Sequence, residues 1–257
     1  MSAAAAPAAA RPAVRAGTGT WPTAVRVARQ LRHDHRTLAL LALAPGLLLA
    51  LMSQVWQGQP GVFDRVGYLM LAVFPLLLMF LVTSIAMLRE RTSGTLERLA
   101  TTPVTRAGLL GGYALAFGAV AAAQAALTTW FALGVLGLDV PAAPGWVLLT
   151  AVLDGVLGVA LGLLCSAFAR TEFQAVQFMP VVVLPQLLLC GLLVPRERMA
   201  GWLEAVSAAL PMTYAVRALE SAAAPTGGTL GTDLAVLAGA ALAALALAAA
   251  TVRRRTG

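Results

Sequence analysis

The chain contains no lysine; its 18 basic residues are all arginine. A Walker-type phosphate loop joins a glycine-rich turn to a lysine that reaches the β/γ-phosphates, so that form of ATP chemistry is excluded here. Charge of either sign is scarce, at 11% of residues, against roughly 25% in a globular domain. Only 6% of residues are aromatic, which weakly disfavours a conduit for sugars lined by stacked rings. Cys165 and Cys190 both sit inside apolar runs and read as small buried hydrophobes, not as a disulfide or metal pair. His33 and His35 lie outside those runs, with no Cys or carboxylate cluster beside them and no His-Glu-x-x-His motif. Neither a metal site nor an intramembrane hydrolase with a placed nucleophile and base is indicated.

What is present is apolar sequence. Hydrophobic residues make up 60% of the chain and the mean hydropathy is +0.83. Six stretches approach the roughly 20 residues that cross a bilayer: about 37–56, 67–88, 107–138, 146–169, 173–194 and 232–252. The third is long enough to begin as an extension and then span. The fold expected is all-α, a polytopic membrane protein of six transmembrane helices. No internal repeat is evident, and the fifth stretch is interrupted by two prolines, Pro180 and Pro185. The lack of a repeat argues against an ATP-independent carrier built on inverted repeats.

The net charge of +7 is distributed as a membrane protein distributes it. Nucleic-acid binders gather arginine into a patch on a polar fold; here the arginines flank apolar spans. With the N-terminus inside, the inner side holds 14 arginines, among them Arg26, Arg89, Arg98, Arg170 and Arg253 to Arg255, while the outer side holds Arg65, Arg196, Arg198 and Arg217. The positive-inside rule then places both termini in the cytoplasm. Residues 1–20 read as a disordered Ala/Pro-rich leader without a signal-peptide core, and 21–257 as the transmembrane domain. Near residue 20 a helix begins on which Val25, Ala28 and Leu31 share one side and Arg26, Arg29, His33 and Arg36 another. It reads as an amphipathic helix on the cytoplasmic surface, with Trp21 at headgroup depth.

Polar groups inside the spans mark packing faces and a candidate path. Gly108, Gly112, Ala116, Gln124 and Thr128 form one four-residue stripe, and Asp154, Gly158, Gly162 and Ser166 another. Small residues at this spacing let helix backbones approach. Asp154 stands apart, because a carboxylate within a span faces a bundle interior or a wet cavity; a hydrogen-bonded structural acid and a path residue both remain open. Gln124, Thr128, Asp154 and Gln177 are the candidate translocation-path residues.

The densest charge lies between the second and third spans, from Glu90 to Pro103. Positive-inside logic puts it in the cytoplasm as a contact surface. Gly94 permits a tight bend, Thr95 can cap a short helix, and Thr102 with Pro103 can end it. Leu96 and Leu99 share a face. After the fifth span, Met199, Trp202, Leu203, Val206 and Leu210 recur at helical spacing, Pro211 interrupts, and Met212-Thr213-Tyr214 starts a second short helix. This reads as an amphipathic, re-entrant hairpin at the extracellular end.

These two segments carry a resemblance. Glu90-Arg91-Thr92-Ser93-Gly94-Thr95-Leu96-Glu97-Arg98-Leu99 followed by Thr102-Pro103 resembles the cytoplasmic signature of type-2 ABC exporter permeases, such as daunorubicin-resistance and nodulation-factor export subunits. Trp202-Leu203 through Pro211-Met212-Thr213-Tyr214 resembles that family's region before the last span. The resemblance covers nearly the whole chain. It implies a permease of an ATP-driven exporter in the bacterial cytoplasmic membrane, with an amphiphilic or hydrophobic cargo such as a drug, antibiotic or lipid. A polysaccharide or lipid-linked glycan is the alternative cargo. It also implies a second permease copy, membrane lipid around both, and separate nucleotide-binding subunits that bind ATP and magnesium, with no cofactor in this chain and no nucleic acid. Thr95, Leu96, Glu97, Arg98 and Leu99 would form a cytoplasmic coupling helix seated in a groove of the ATPase, flanked by Glu90, Arg91, Gly94 and Pro103.

Overall fold

The computed structural model describes residues 19–93, 105–140, 143–191, 194–223 and 229–254. Among them the regular structure is entirely helical: α1 (Thr20–His33), α2 (His35–Val55), α3 (Pro60–Thr92), α4 (Arg106–Gly134), α5 (Pro144–Ser166), α6 (Glu172–Leu189), a 3-10 turn (Arg196–Arg198), α7 (Gly201–Ala209), α8 (Pro211–Ala223) and α9 (Leu230–Arg254). Six of these, α2 to α6 and α9, are long and apolar enough to cross a membrane. The all-α fold with six spans is as the apolar runs indicate. The leader before residue 19 and the segment Gly94 to Val104 lie outside the described residues.

Helix boundaries follow local chemistry. Gly19, at φ 105°, is the residue before α1, and Thr20 opens that helix. Asp34 ends α1 and caps α2, accepting from the Thr37 amide at 3.1 Å and the Thr37 hydroxyl at 2.7 Å; an Asp at this position satisfies one of the free amides of a first turn. Helix α3 runs through Pro75 and continues past the apolar run to Thr92, which makes Glu90 and Arg91 part of its last turn and not of a loop. Helix α6 is likewise continuous through Pro180 and Pro185.

Helices α3 and α5 form the centre. The small-residue stripe of α5 lies on α3 so closely that a methyl group at Gly158 would stand 2.4 Å from the Leu76 carbonyl oxygen, and one at Gly162 2.6 Å from that of Phe80. Along this seam the core divides into two apolar layers. One surrounds Leu71, Leu76, Leu157, Met212 and Leu237; the other surrounds Val27, Met79, Met87, Phe117 and Leu163. Helices α2 and α6 are peripheral and leave large side chains uncovered, including Leu40, Leu43 and Leu47 on α2 and Phe173, Val181 and Leu188 on α6.

Helix α1 packs on α4, and the face it buries differs from the one its periodicity indicates. Thr23, Ala24, Val27 and Leu31 are buried, whereas Ala28 is exposed and Val25 only partly covered. The reason is a backbone contact: at Gly112 of α4 an added methyl would meet the Thr23 Cβ at 2.5 Å and the Thr20 carbonyl oxygen at 2.8 Å. A glycine surface takes the small side chains of α1 and turns Val25 and Ala28 away. Trp21 stays 73% exposed.

Candidate functional site

Successive helical residues point about 100° apart, and the end of α3 uses this. Its three consecutive charged residues reach three different neighbours. Arg89 forms a two-bond ion pair with Glu172 in the first turn of α6, Nε to Oε1 at 2.6 Å and Nη2 to Oε2 at 2.9 Å. Arg91 donates from Nη1 to the Ser166 carbonyl oxygen at the end of α5. Glu90 turns to α1 and α4, where its Oε1 accepts from Arg26 Nη1 at 2.6 Å. The same guanidinium donates from Nη2 to the Tyr113 hydroxyl at 3.2 Å and lies over the Tyr113 ring, 6.0 Å from its centroid. Burial opposes the Arg26 charge, but Glu90 and Tyr113 together outweigh it and hold the proton more firmly than on an ordinary arginine. The last described turn of α3 is thereby tied to α1, α4, α5 and α6 at once.

Arg26, Tyr113 and Glu172 were not singled out by sequence reasoning. Arg26 was placed on the polar side of α1, yet it flanks the inward Val27. The available signal was Glu90 itself, one acid among arginines, which needs a defined partner. The neighbouring helices start with side-chain caps: Thr105 accepts from the Gly108 amide at 3.0 Å, and Thr171 from the Gln174 amide at 3.2 Å. Of the coupling residues, Glu90 and Arg91 are described; Gly94, Thr95, Leu96, Glu97, Arg98, Leu99 and Pro103 lie outside the described residues.

The candidate path residues do not form one group within the chain. Asp154 is fully buried at mid-span beside the α3–α5 seam, against the Leu76 backbone, and neither of its oxygens has a well-formed hydrogen bond among the described residues. Gln124 and Thr128 are buried on α4 and bonded to each other, Nε2 to Oγ1 at 3.3 Å. Gln177 is exposed on peripheral α6.

At the opposite end, Pro211 separates two short helices as its position indicates, but the burial pattern is inverted. Trp202 is 69% exposed and Val206 uncovered, while Ser207 is the buried residue of α7. Polar bonds across the turn explain this. Thr213 Oγ1 donates to the Ser207 carbonyl at 2.7 Å, and the Tyr214 hydroxyl donates to the Ala208 carbonyl at 2.7 Å. The buried helix is α8, through Met212, Ala215, Val216 and Leu219. Gln186 of α6 accepts from the Met212 amide at 3.4 Å, and Arg217 pairs with Asp233 of α9 at 3.3 Å. Leu203 is partly covered.

A sequence model described as ABC-2 type transporter matches residues 23–223. The probable multidrug ABC transporter permease YbhR of Escherichia coli strain K12 is 35% identical over 126 residues, and so is its namesake in strain O157:H7; each alignment covers 48% of this chain and 34% of the relative. ABC transporter G family member 20 of Dictyostelium discoideum is 29% identical over 140 residues, 54% of this chain and 19% of that protein. The chain therefore spans about a third of the length of the bacterial relatives it matches. With a family match running from the first helix through α8 and six helices of membrane-crossing length, this chain belongs to the ABC-2 type transporter family as a multi-pass permease.

Proposed function

We propose that the chain is the permease subunit of an ATP-driven exporter that carries an amphiphilic or hydrophobic compound out across the cytoplasmic membrane, powered by a separate ATPase subunit. The observation that carries this reading is the bracing of α3 at Arg89, Glu90 and Arg91. A segment docked on an ATPase at residues 94–103 would pull on a helix end bonded to four neighbours, so its displacement would move the bundle and not merely a loop. In this reading Leu96 and Leu99 are the docking face, because exposed ion pairs from Glu97 and Arg98 contribute only roughly 0–1 kcal/mol. The excess of arginine on that side supports a cytoplasmic position. The uncovered apolar faces of α2 and α6 would meet lipid or a second permease copy. A broad amphiphilic cargo is in keeping with the Escherichia coli relative, named as a probable multidrug permease.

The test is copurification. With the ATPase subunit co-expressed, Leu96→Asp with Leu99→Asp is expected to abolish its recovery on tagged permease and to uncouple ATP hydrolysis from transport. Undiminished recovery of the ATPase refutes the docking assignment.

A further inference from the structure

A cleft of about 440 Å³ lies beneath the elbow where α1 turns into α2, closed behind by α3 and α4. This is within the usual range of small-molecule sites, roughly 300–1,000 Å³. Its floor is apolar, formed by Val27, Leu31, Val82, Ile85 and Phe117. Its rim is polar and includes Asp34, Arg89, Glu90 and the Tyr113 hydroxyl. Tyr113 and Phe117 stack with centroids 6.2 Å apart, which gives one wall an aromatic face.

The charges on this rim do not cancel. Arg89 is engaged by Glu172 through two bonds, and Glu90 is engaged by Arg26. Asp34 has hydrogen bonds to Thr37 but no ion-pair partner among the described residues. Those bonds hold the Asp34 carboxyl below the usual carboxylate range, with the Arg89 charge adding a smaller pull. Arg29, Arg32 and Arg36 are exposed and do not line the cleft. The uncompensated charge facing the cavity is one carboxylate, above an apolar floor and next to an aromatic wall. An apolar body with a cationic head satisfies all three features, the head on Asp34 and the body along the apolar floor and the aromatic wall.

We infer that this cleft is a binding site for amphiphilic ammonium compounds, with Asp34 as the head-group contact and the Val82–Ile85 surface of α3 receiving the tail. Its use as the cargo's first binding site rests on the transport reading above; occupancy itself does not, because it requires neither the ATPase nor turnover.

The test is equilibrium binding of tritiated dodecyltrimethylammonium to the full chain in non-ionic dodecyl maltoside micelles, with empty micelles subtracted. Saturable binding at one site per chain is expected. Asparagine caps helices about as well as aspartate, so Asp34→Asn keeps the elbow intact, as circular dichroism will check, and removes only the charge. It is expected to weaken binding about fivefold to tenfold, in line with one screened charge contact. Ala86→Leu, which places a larger side chain in the cleft wall, is expected to abolish saturable binding. Dodecyl sulfate, with the same tail and the opposite head, is expected not to compete. Competition by dodecyl sulfate equal to that of the ammonium compound, or an Asp34→Asn affinity within twofold of the parent, overturns the cationic assignment. Undiminished saturable binding in Ala86→Leu overturns the location. These outcomes are separable from failure of the ATPase pull-down, which involves other residues and a second protein.

Discussion

Adding one methyl group at Gly158 should unfold this protein more easily, while the same change at Gly239 should not. The Cβ of an alanine at position 158 would sit 2.4 Å from the Leu76 carbonyl oxygen and 2.9 Å from the Leu76 Cα. Ordinary contact of roughly 3.5 Å then requires α3 and α5 to part by on the order of 1 Å. The obstructing atoms are backbone in the middle of a helix and cannot rotate away. Overpacking of this kind costs about 1–3 kcal/mol, occasionally more, and an immovable partner puts Gly158 at the upper end. Against that stands the better helix propensity of alanine, about 1 kcal/mol, which leaves a net loss of about 2 kcal/mol. Gly239, in α9, has nothing within 4 Å of its Cβ position, so Gly239→Ala keeps the propensity gain alone. Thermal unfolding of both variants in one detergent, followed by intrinsic fluorescence, is the assay. A midpoint lowered by roughly 4–8 °C is expected for Gly158→Ala, and an unchanged or raised midpoint for Gly239→Ala. A Gly158→Ala protein as stable as the Gly239→Ala protein would refute the close helix seam.

The Arg26–Glu90 bond joins side chains that are 31% and 13% exposed. A double-mutant cycle of Arg26→Met and Glu90→Gln, read by detergent-induced unfolding, should give a coupling energy of about 1 kcal/mol or more; additive effects would mean the two groups are not joined. Asp34→Ala should cost about 1 kcal/mol at neutral pH through loss of the α2 cap. Because folding depresses the Asp34 pKa, the cap's contribution is complete above the ordinary carboxylate value, roughly 3.9, and is lost as pH falls through the lower folded value. The difference between parent and Asp34→Ala in unfolding midpoint should therefore close in strong acid. A difference that persists there would show that the carboxylate is not the source.

The spans were legible because the length of an apolar run is set by the bilayer and not by tertiary contacts. The packing face of α5 was legible for a similar reason, since glycines four residues apart have few other uses in a span. Pro211 likewise marks the break between α7 and α8 by removing a donor. The end of α3 was not readable from charge, because Glu90 and Arg91 suit a loop and a helix terminus equally well; their partners on α1 and α5 decide it. The inward face of α1 was misplaced for a comparable reason. Two overlapping stripes, one through Val25 and Ala28 and one through Thr23, Ala24 and Val27, differ by a modest rotation. Only Gly112, on another helix, selects between them. On α7 the apolar spacing was real, but bonds from Thr213 and Tyr214 turn Ser207 inward in its place. For the candidate path, burial of Asp154 was foreseeable from its position, whereas the exposure of Gln177 follows from the peripheral place of α6.

Three neighbouring side chains that each grip a different helix make α3 sensitive to phase as well as to composition. Insertion of a single residue between the glycine-lined seam at Leu76 and Arg89 would turn the helix end by about 100°. Arg89 would then face Arg26, Glu90 would face the Ser166 carbonyl oxygen, and Leu88 would stand where Arg89 met Glu172. The length of this helix between its centre and its charged tip is thus constrained like the bitting of a key: substitutions along the shaft can be absorbed, but a shift in register cannot.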